Sequence, residues 1–336
     1  MAKRDYRFQN GHEEIIMQIK KWLIGTALTV GLAAAHAQTT LRLGMQLPET
    51  HPSYQGALEI KNTLEKLSKG AMTLRIFPNS QLGDFKAMVA QTQAGELDMA
   101  MTGYPDMSYV IPELKLLGAP YVVSDYAHLR SVIKSPFGQK MDAKFREKGI
   151  RVLDVWYEGA RHTTANKPIN SMADLKGLKM RTPNVPFLIA YAKAVGATPA
   201  PVAFAEVYLA LQTKQVDAQE NPLPTIDAAK LYEVQKHIAL TGHFIASSSI
   251  LMSDKSWGKL TEEQRKWVSE AAEAGGRVSS KLVADKEKSL IDTFKSRGIS
   301  FTQPDTAPFR AARQGYYDEL EAEFGKGEIQ RIMDVK

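Results

Sequence analysis

The sequence contains no cysteine among its 336 residues. This absence excludes disulfide bonds, thiolate catalysis and cysteine-ligated metals. Charge of one sign is not concentrated either, because 43 Lys and Arg are spread among 37 Asp and Glu without a run of five like charges. No segment interleaves basic with aromatic residues, so a nucleic-acid groove is not predicted. What remains, 44% hydrophobic and 24% charged residues, is typical of an ordinary globular protein.

The chain also lacks the short motifs of common enzyme sites. It has no Gly-x-Ser-x-Gly, no His-Glu-x-x-His, no phosphate-binding loop and no strand-anchored Gly-x-Gly-x-x-Gly. Ser-x-x-Lys occurs at Ser131 and Ser256, but without Ser-Asp-Asn or Lys-Thr-Gly. The histidines after residue 37, at positions 51, 128, 162, 237 and 243, lack the spacing of a helical metal site. The sequence therefore predicts neither an enzyme nor a metal or cofactor site.

Residues 17–37 have the pattern of a secretory signal peptide. Lys20 and Lys21 precede an apolar run of about 13 residues, and Ala35-His36-Ala37 forms a small-x-small cleavage site. The run is short of the roughly 20 residues that a membrane-spanning helix needs, which disfavours the alternative of a membrane anchor. We therefore expect an exported protein cleaved near Ala37. The polar stretch 5–14 does not suit a signal peptide, so residues 1–16 are predicted to be an upstream extension and Met17 the true start.

The mature chain alternates strand and helix patterns. Strands are predicted at 41–45, 72–77, 97–101, 150–156 and 178–181, and helices at 54–67, after Asp84 and at 186–195. Short connections between them indicate a parallel-rich α/β architecture. Residues 261–264 form a capping box that opens a long amphipathic helix, which Gly275 and Gly276 are expected to kink. About 300 mature residues exceed one core, so two lobes are predicted, braced by this helix.

Two stretches place polar side chains where a strand runs into a turn. Residues 176–184 read KGLKMRTPN and deliver Arg181, and residues 215–222 read QVDAQENP and deliver Asn221. Open α/β sheets bind ligands at the carboxyl ends of their strands. A guanidinium pairs with both oxygens of a carboxylate, and a carboxamide adds one donor. The two stretches therefore predict a site that holds an organic acid.

The chain resembles the periplasmic solute-binding proteins of TRAP (tripartite ATP-independent periplasmic) transporters of the DctP type, and is most similar to the sialic-acid-binding members. The resemblance covers nearly the whole mature chain in order, through residues 176–184, 220–222 and the segments PNSQLGD at 78–84, APYV at 119–122, GARHTTAN at 159–166, AYAKAVGA at 190–197 and AFAEVYLALQT at 203–213. It implies an α/β periplasmic binding protein fold whose two lobes, joined by crossing strands and a long hinge helix, close over a ligand. The implied division assigns 38–158 plus 247–286 to lobe I and 159–246 plus 287–336 to lobe II.

The resemblance also implies the residues of the cleft. Arg181 corresponds to the carboxylate-pairing arginine, Asn221 to its amide partner and Arg161 to a second basic contact. Further cleft positions implied in the same way are Asn184, Phe204, Gln46, His51 and the loop 102–104 with Tyr104. The implied partners are a small organic acid and the membrane subunits of the transporter, with no nucleic acid, and the protein is expected to be a monomer.

The chain departs from the sialic-acid pattern in that loop. Where this subgroup has a glutamate and, three residues on, an arginine, this chain has Gly103 and Asp106. With the bulky Tyr104 nearby, this favours a smaller acid, a hexuronate such as D-glucuronate or D-galacturonate. Sialic acid, a C4-dicarboxylate or another small hydroxy acid remain alternatives. An exported lyase or hydrolase of sugar acids, and a ligand-sensing partner of a receptor, are the alternative classes.

Overall fold

The structure is a computed structural model that describes residues 38–336, so the predicted signal peptide and upstream extension lie outside the described residues. Strands of this range form one sheet in the order β2-β1-β3-β8-β4-β7-β5-β6, with β9 paired to β8. The strands are β1 Thr39–Met45, β2 Met72–Phe77, β3 Met99–Gly103, β4 Ile150–Ala165, β5 Lys179–Thr182, β6 Thr198–Pro201, β7 Ala218–Pro222, β8 His237–Ser253 and β9 Ser300–Thr302.

The helices of the same range lie between and after these strands. They are α1 Pro52–Leu67, α2 Phe85–Ala94, α3 Tyr126–Lys134, α4 Pro136–Glu147, α5 Pro186–Ala194, α6 Val207–Gln212, α7 Leu223–Ala228, α8 Asp254–Gly258, α9 Glu262–Ser296, α10 Ala307–Ala312, α11 Gln314–Phe324 and α12 Glu328–Met333. The fold is therefore mixed α/β. No helix of residues 38–336 has both the length and the apolar character to cross a membrane.

Strands β4 and β8 are the longest strands and run through the middle of the sheet. They are antiparallel, paired from Ile150 opposite Ser253 to Ala165 opposite His237. β3 also runs antiparallel to β8, and β7 antiparallel to β4, whereas β1–β3, β5–β6 and β5–β7 are parallel pairs. β8–β9 is a further parallel pair. The expected parallel pairing is therefore found, whereas the antiparallel pairs all involve β4 or β8; the sequence predicted β4 only as far as Trp156 and did not predict β8.

The long helix α9 packs in two different hydrophobic clusters. Its capping box is confirmed: the Thr261 amide donates to Gln264 Oε1 at 2.9 Å, and the Gln264 amide donates to Thr261 Oγ1 at 3.2 Å. Near its start Val268 packs in the hydrophobic cluster of β1 and α1. Near its end Phe294 packs in a different cluster, with residues of α6, α7 and β8. One helix thus packs against β1 and α1 near its start and against α6, α7 and β8 near its end.

Gly275 and Gly276, which were expected to kink α9, lie within the helix. The helix continues without interruption through both residues. A Cβ at Gly275 would lie 2.5 Å from the Gly56 carbonyl oxygen of α1, and one at Gly276 would lie 2.6 Å from the Trp156 indole nitrogen. The two glycines therefore serve close packing of α9 against α1 and β4.

The C-terminal helices pack on α3 and α4. Tyr317 and Leu320 of α11 and Ile332 of α12 share a hydrophobic cluster with Leu129 and Phe145. The Tyr317 hydroxyl donates to the Pro120 carbonyl at 2.6 Å. This end of the chain is therefore fixed against residues 104–155.

Candidate functional site

A cavity of about 300 Å³ is lined by residues at the carboxyl ends of β1, β3, β5 and β7 and by residues within β4 and β8. This volume lies at the lower end of the range of small-molecule sites. Strands β5 and β7 are parallel neighbours, with Met180 opposite Ala218, so their carboxyl ends reach the same side of the cavity. Six of the eight predicted site residues line it, namely Gln46, Arg161, Arg181, Asn184, Phe204 and Asn221.

Arg181 presents a buried cation to the cavity. Its side chain is 2% exposed, and its Nε donates to the Val202 carbonyl at 3.0 Å. Among residues 38–336, no carboxylate lies within ion-pairing distance of this guanidinium. Burial lowers the pKa of Arg181 to about 9; Glu220 opposes that shift and Arg161 adds to it. At neutral pH the cavity therefore contains a positive charge without a counter-charge in contact.

Arg161 has a different environment, because it is paired with Glu220. Arg161 Nε lies 2.5 Å from Glu220 Oε2, and its Nη2 donates to Glu220 Oε1 and to the Glu220 carbonyl, both at 2.8 Å. Burial raises the pKa of Glu220, but the Arg161 charge and its hydrogen bonds outweigh burial, so that pKa lies well below its usual range. The fork of Arg161 is therefore neutralised within the protein.

His243 supports Glu220 from behind. Its Nε2 lies 3.2 Å from Glu220 Oε2, its Nδ1 lies 2.7 Å from the Thr241 hydroxyl, and its ring stacks on Tyr191 at 4.1 Å between centroids. Burial lowers the pKa of His243 more than Glu220 raises it, so the ring is neutral. The contact with a carboxylate places the ring proton on Nε2, leaving Nδ1 to accept from Thr241.

The carboxamide of Asn221 is held in one orientation. Its Oδ1 accepts from Arg161 Nη2 at 3.1 Å, and its Nδ2 donates to Gln219 Oε1 at 2.6 Å. Gln219 Nε2 in turn donates to the Thr164 hydroxyl at 3.0 Å. An amide carries two N–H donors, so the second one of Asn221 is left for the cavity.

The other predicted residues of the lining come from connections between elements. Gln46 directly follows β1, and Asn184 lies between β5 and α5. Phe204 lies in the short 3-10 helix Phe204–Glu206 and packs against two hydrophobic clusters, that of β1 and α1 and that of α6 and β8. Phe204 therefore joins these two clusters at the cavity wall.

His51 and Tyr104 do not line the cavity. His51 is fully buried; its Nδ1 accepts from the Ser53 amide at 3.1 Å as the N-cap of α1, and its Nε2 lies 3.3 Å from the Thr225 hydroxyl. Burial and the nearby Lys286 lower the pKa of His51 to about 3. Tyr104 packs in a core cluster against Phe145, with ring centroids 5.6 Å apart. Both side chains support neighbours of the cavity from behind.

Besides the exposed Asp84 at the cavity rim, three acidic residues at the site were not predicted from the sequence. Asp106 and Glu158 line the cavity, and Glu220 lies directly behind it. A signal was present for each: Glu158 precedes the segment 159–166, Glu220 precedes Asn221, and Asp106 was noted only as a departure. Carboxylates inside otherwise buried strands are rare unless they are paired, and that rule could have identified Glu220.

A metal centre finds no support in the described range. Residues 38–336 contain no group of three or more His, Cys, Asp or Glu arranged to hold an ion. The arrangement of one unmatched guanidinium, one neutralised guanidinium and several hydrogen-bonding groups is instead suited to binding a small acid.

Comparisons with known proteins point in the same direction. The sequence profile of the bacterial extracellular solute-binding proteins, family 7 (DctP), matches residues 43–323. The chain is 40% identical over 315 residues to the sialic acid-binding periplasmic protein SiaP of Vibrio cholerae, covering 94% of this chain and 98% of that protein.

Two solved structures are similar over their full length. A TRAP periplasmic solute-binding protein from Polaromonas sp. JS666, bound to D-erythronate, superposes with a TM-score of 0.85 at 33% identity, covering 89% of this chain and 99% of that one. Its counterpart from Xanthobacter autotrophicus Py2, with bound β-D-galacturonate, has a TM-score of 0.83 at 29% identity, covering 88% and 100%.

Proposed function

The chain belongs to the family 7 bacterial extracellular solute-binding proteins, which are non-catalytic, and on that premise we propose that it captures a sugar acid for a TRAP transporter. The best candidates are hexuronates such as D-glucuronate and D-galacturonate. Delivery to the membrane subunits of the transporter is part of the proposal.

One observation carries the proposal: Arg181 is buried, charged and unmatched in the cavity. A buried charge is tolerated when a partner neutralises it. A ligand carboxylate on the Arg181 fork, with the free N–H of Asn221 as an added donor, supplies that partner. Arg161, already neutralised by Glu220, then contributes position more than charge.

The choice of a hexuronate rests on the loop after β3. A Cβ at Gly103 would lie 2.4 Å from Asp106 Oδ2, so the Asp106 carboxyl occupies the space of a side chain at position 103. The Xanthobacter relative with bound β-D-galacturonate supports an acid of this size. Sialic acid is the second candidate, because the 40% identical Vibrio cholerae relative is a sialic acid-binding protein.

We propose that ligand binding closes two lobes, 38–158 plus 247–286 and 159–246 plus 287–336. Hydrogen bonds join segments of the two proposed lobes. The Thr50 hydroxyl donates to the Ala228 carbonyl at 3.2 Å, and His51 Nε2 lies 3.3 Å from the Thr225 hydroxyl. A ligand that touches both walls favours the closed form by its differential affinity. His51 would then act on closure without touching the ligand.

We propose that the protein acts in the periplasm. The relatives compared above are periplasmic proteins, and residues 17–37 supply the predicted signal peptide with cleavage near Ala37. The proposed protein acts as a monomer that meets the membrane subunits in its closed form.

A thermal-shift screen against small acids, neutral sugars and amino acids tests the proposal. A ligand at a hundredfold its Kd adds about 2.7 kcal/mol of stability. Shifts confined to sugar acids are expected, largest for glucuronate or galacturonate and absent in Arg181→Ala. A shift with sialic acid alone would replace the ligand and keep the class, whereas no shift with any carboxylate would refute the arginine-centred site.

A further inference from the structure

Another part of the cavity lining comes from three adjacent strands, β3, β8 and β4, and from the 3-10 helix Pro105–Tyr109 that follows β3. β8 lies between β3 and β4, and Ser248 is opposite both Gly103 and Trp156. This brings together six cavity-lining residues, here called the β3–β8 wall: Thr102, Gly103, Asp106, Glu158, Ser247 and Ser248. No cation belongs to this wall.

Polar groups of the β3–β8 wall are buried and incompletely bonded. Thr102 is 6% exposed and Ser247 2% exposed, and neither hydroxyl oxygen has a hydrogen-bond partner within residues 38–336. Glu158 Oε2 accepts from the Ser248 hydroxyl at 2.6 Å. Buried polar groups are nearly always hydrogen-bonded in folded proteins, so unpartnered ones that line a cavity point to a ligand.

The charge of this wall is negative and is not cancelled by contact. Burial raises the pKa of Asp106 to about 6, with Arg161 and Arg181 opposing and Glu158 and Glu220 adding to the shift. Burial likewise raises the pKa of Glu158, against its bond to Ser248 and the charge of Arg161.

Arg161 forms no ion pair with this wall, because its Nε and Nη2 pair with the Glu220 carboxylate, and its charge lowers the pKa values of Asp106 and Glu158 only through space. Two further charges lie at the cavity rim with opposite signs. Asp84 accepts from the Ala87 amide at 2.8 Å as the N-cap of α2, and the Lys86 ammonium lies 5.3 Å from the centroid of the Tyr109 ring.

We infer that Asp106 and Glu158 determine specificity: the β3–β8 wall accepts ligand hydroxyl donors and rejects a second carboxylate. The inference rests on the proposed function, because Arg181 must hold the first carboxylate. The hydroxyls of Thr102 and Ser247 add bonding capacity for a polyol chain. A dicarboxylate would place its second anion against Asp106 and Glu158, which form no ion pair within residues 38–336. Repulsion of this kind discriminates between related ligands. The site is thus selective for monocarboxylic polyhydroxy acids.

Calorimetric titration with matched acid pairs tests this inference. D-Galactonate and galactarate share one six-carbon skeleton and differ only in a terminal CH₂OH or carboxylate; D-gluconate and D-glucarate form a second pair. We expect the wild-type protein to bind the monoacid of at least one pair at least about tenfold more tightly than its diacid, a difference of about 1.4 kcal/mol.

Charge-neutralising variants then assign the selectivity to its residues. Asp106→Asn and Glu158→Gln keep side-chain shape, and each is expected to narrow the diacid-to-monoacid ratio of Kd at least fivefold, chiefly through tighter diacid binding. Asp125→Asn is the matched control, because Asp125 caps α3 outside the cavity and Asn preserves a cap; it should leave the ratio unchanged.

The outcomes separate the two ideas. A diacid that binds wild type as tightly as its monoacid, or a ratio within twofold of wild type in both variants, would overturn the inference. Binding of neither member of either pair would also overturn it, while Arg181-dependent binding of another acid would leave the proposed function standing. If the wild-type protein bound no acid at all, both the inference and the proposed function would be refuted.

Discussion

Arg181 and Arg161 lie in the same cavity, yet the regions around them treat a buried guanidinium differently. On β4, beside the end of β7, Arg161 is held by a fully buried Glu220, which is itself supported by His243. At the end of β5, Arg181 donates to a single backbone carbonyl and meets no carboxylate within residues 38–336. A buried charge that is paired within the protein stabilises the fold, whereas a buried charge without a partner is available to a ligand.

The comparison extends to the acids of the cavity. Glu220 is paired, and its pKa is held low by Arg161 despite burial. Asp106 is not in contact with a cation, and its pKa is raised by burial. The pKa of the paired Glu220 is therefore lowered, whereas that of the unpaired Asp106 is raised. Variants that remove one charge at a time test this difference.

Glu220→Gln should have the largest effect, because it turns Arg161 into an uncompensated buried charge. Breaking a buried pair by removing one partner typically costs about 3–5 kcal/mol. We expect the free energy of unfolding, measured by urea denaturation, to fall by that amount. Glu323→Gln is the control, since Glu323 forms an exposed pair with Lys115 worth less than about 1 kcal/mol. An equal, small loss in both variants would contradict the structural role of the Arg161 pair.

Arg181→Ala should weaken binding of the preferred acid by two or more orders of magnitude, equivalent to about 2.7 kcal/mol or more. The reason is that the ligand carboxylate loses the buried, unmatched cation with which it pairs. The free energy of unfolding should stay unchanged or rise, because a desolvated charge is removed. Arg181→Lys keeps the charge but loses the fork, so its affinity should be intermediate.

Calorimetry checks these affinities, with the exposed Arg277→Ala as a control for removal of a surface arginine. Binding by Arg181→Ala within about threefold of wild type would remove the distinction between the two arginines.

Because the pKa of Asp106 is raised, we expect the free energy of unfolding of the ligand-free protein to depend on pH. Its pKa is raised from 3.8 to about 6, so the native state binds a proton that the unfolded state has already lost between these values. The contribution of Asp106 to stability is therefore best below about pH 4 and declines as pH rises through 6. Asp106→Asn cannot ionise, so relative to wild type it should gain on the order of 1–2 kcal/mol between pH 4 and pH 7.5. Urea unfolding at both pH values measures this; a constant difference would mean that Asp106 is not desolvated.

His51 should have the smallest effect on binding, because it lies outside the cavity wall. His51→Ala removes the N-cap of α1, worth about 1 kcal/mol of stability, and the bond to Thr225, worth about 0.5–1.5 kcal/mol or up to tenfold in affinity. His51→Asn should restore the cap and not the affinity. A loss in His51→Ala as large as that in Arg181→Ala, measured by the same titration, would mean that His51 touches the ligand.

Much of the fold followed from local pattern. The strand at 72–77 and the capping box at Thr261 were predicted as found. The start of β4 was placed correctly but its end was not, because the strand continues through Gly159 and its bulges, where simple alternation is lost. β8 was missed for a similar reason: it is buried on most of its length and carries little period-two signal.

The sequence by itself determined the family and identified Arg181 and Asn221 as cavity residues, because these depend on residue types in a fixed order along two short strands. Only the tertiary structure decided which arginine is free. That distinction depends on Glu220 reaching across from β7 to β4 and on His243 packing behind it, contacts between residues 59 and 23 positions apart. The same holds for the β3–β8 wall, since antiparallel pairing of β8 with β3 and β4 brings Ser247 and Glu158 to the end of β3, which Asp106 follows in a 3-10 helix. Electrostatic balance in a buried site is set by such non-local contacts, and no local pattern encodes it.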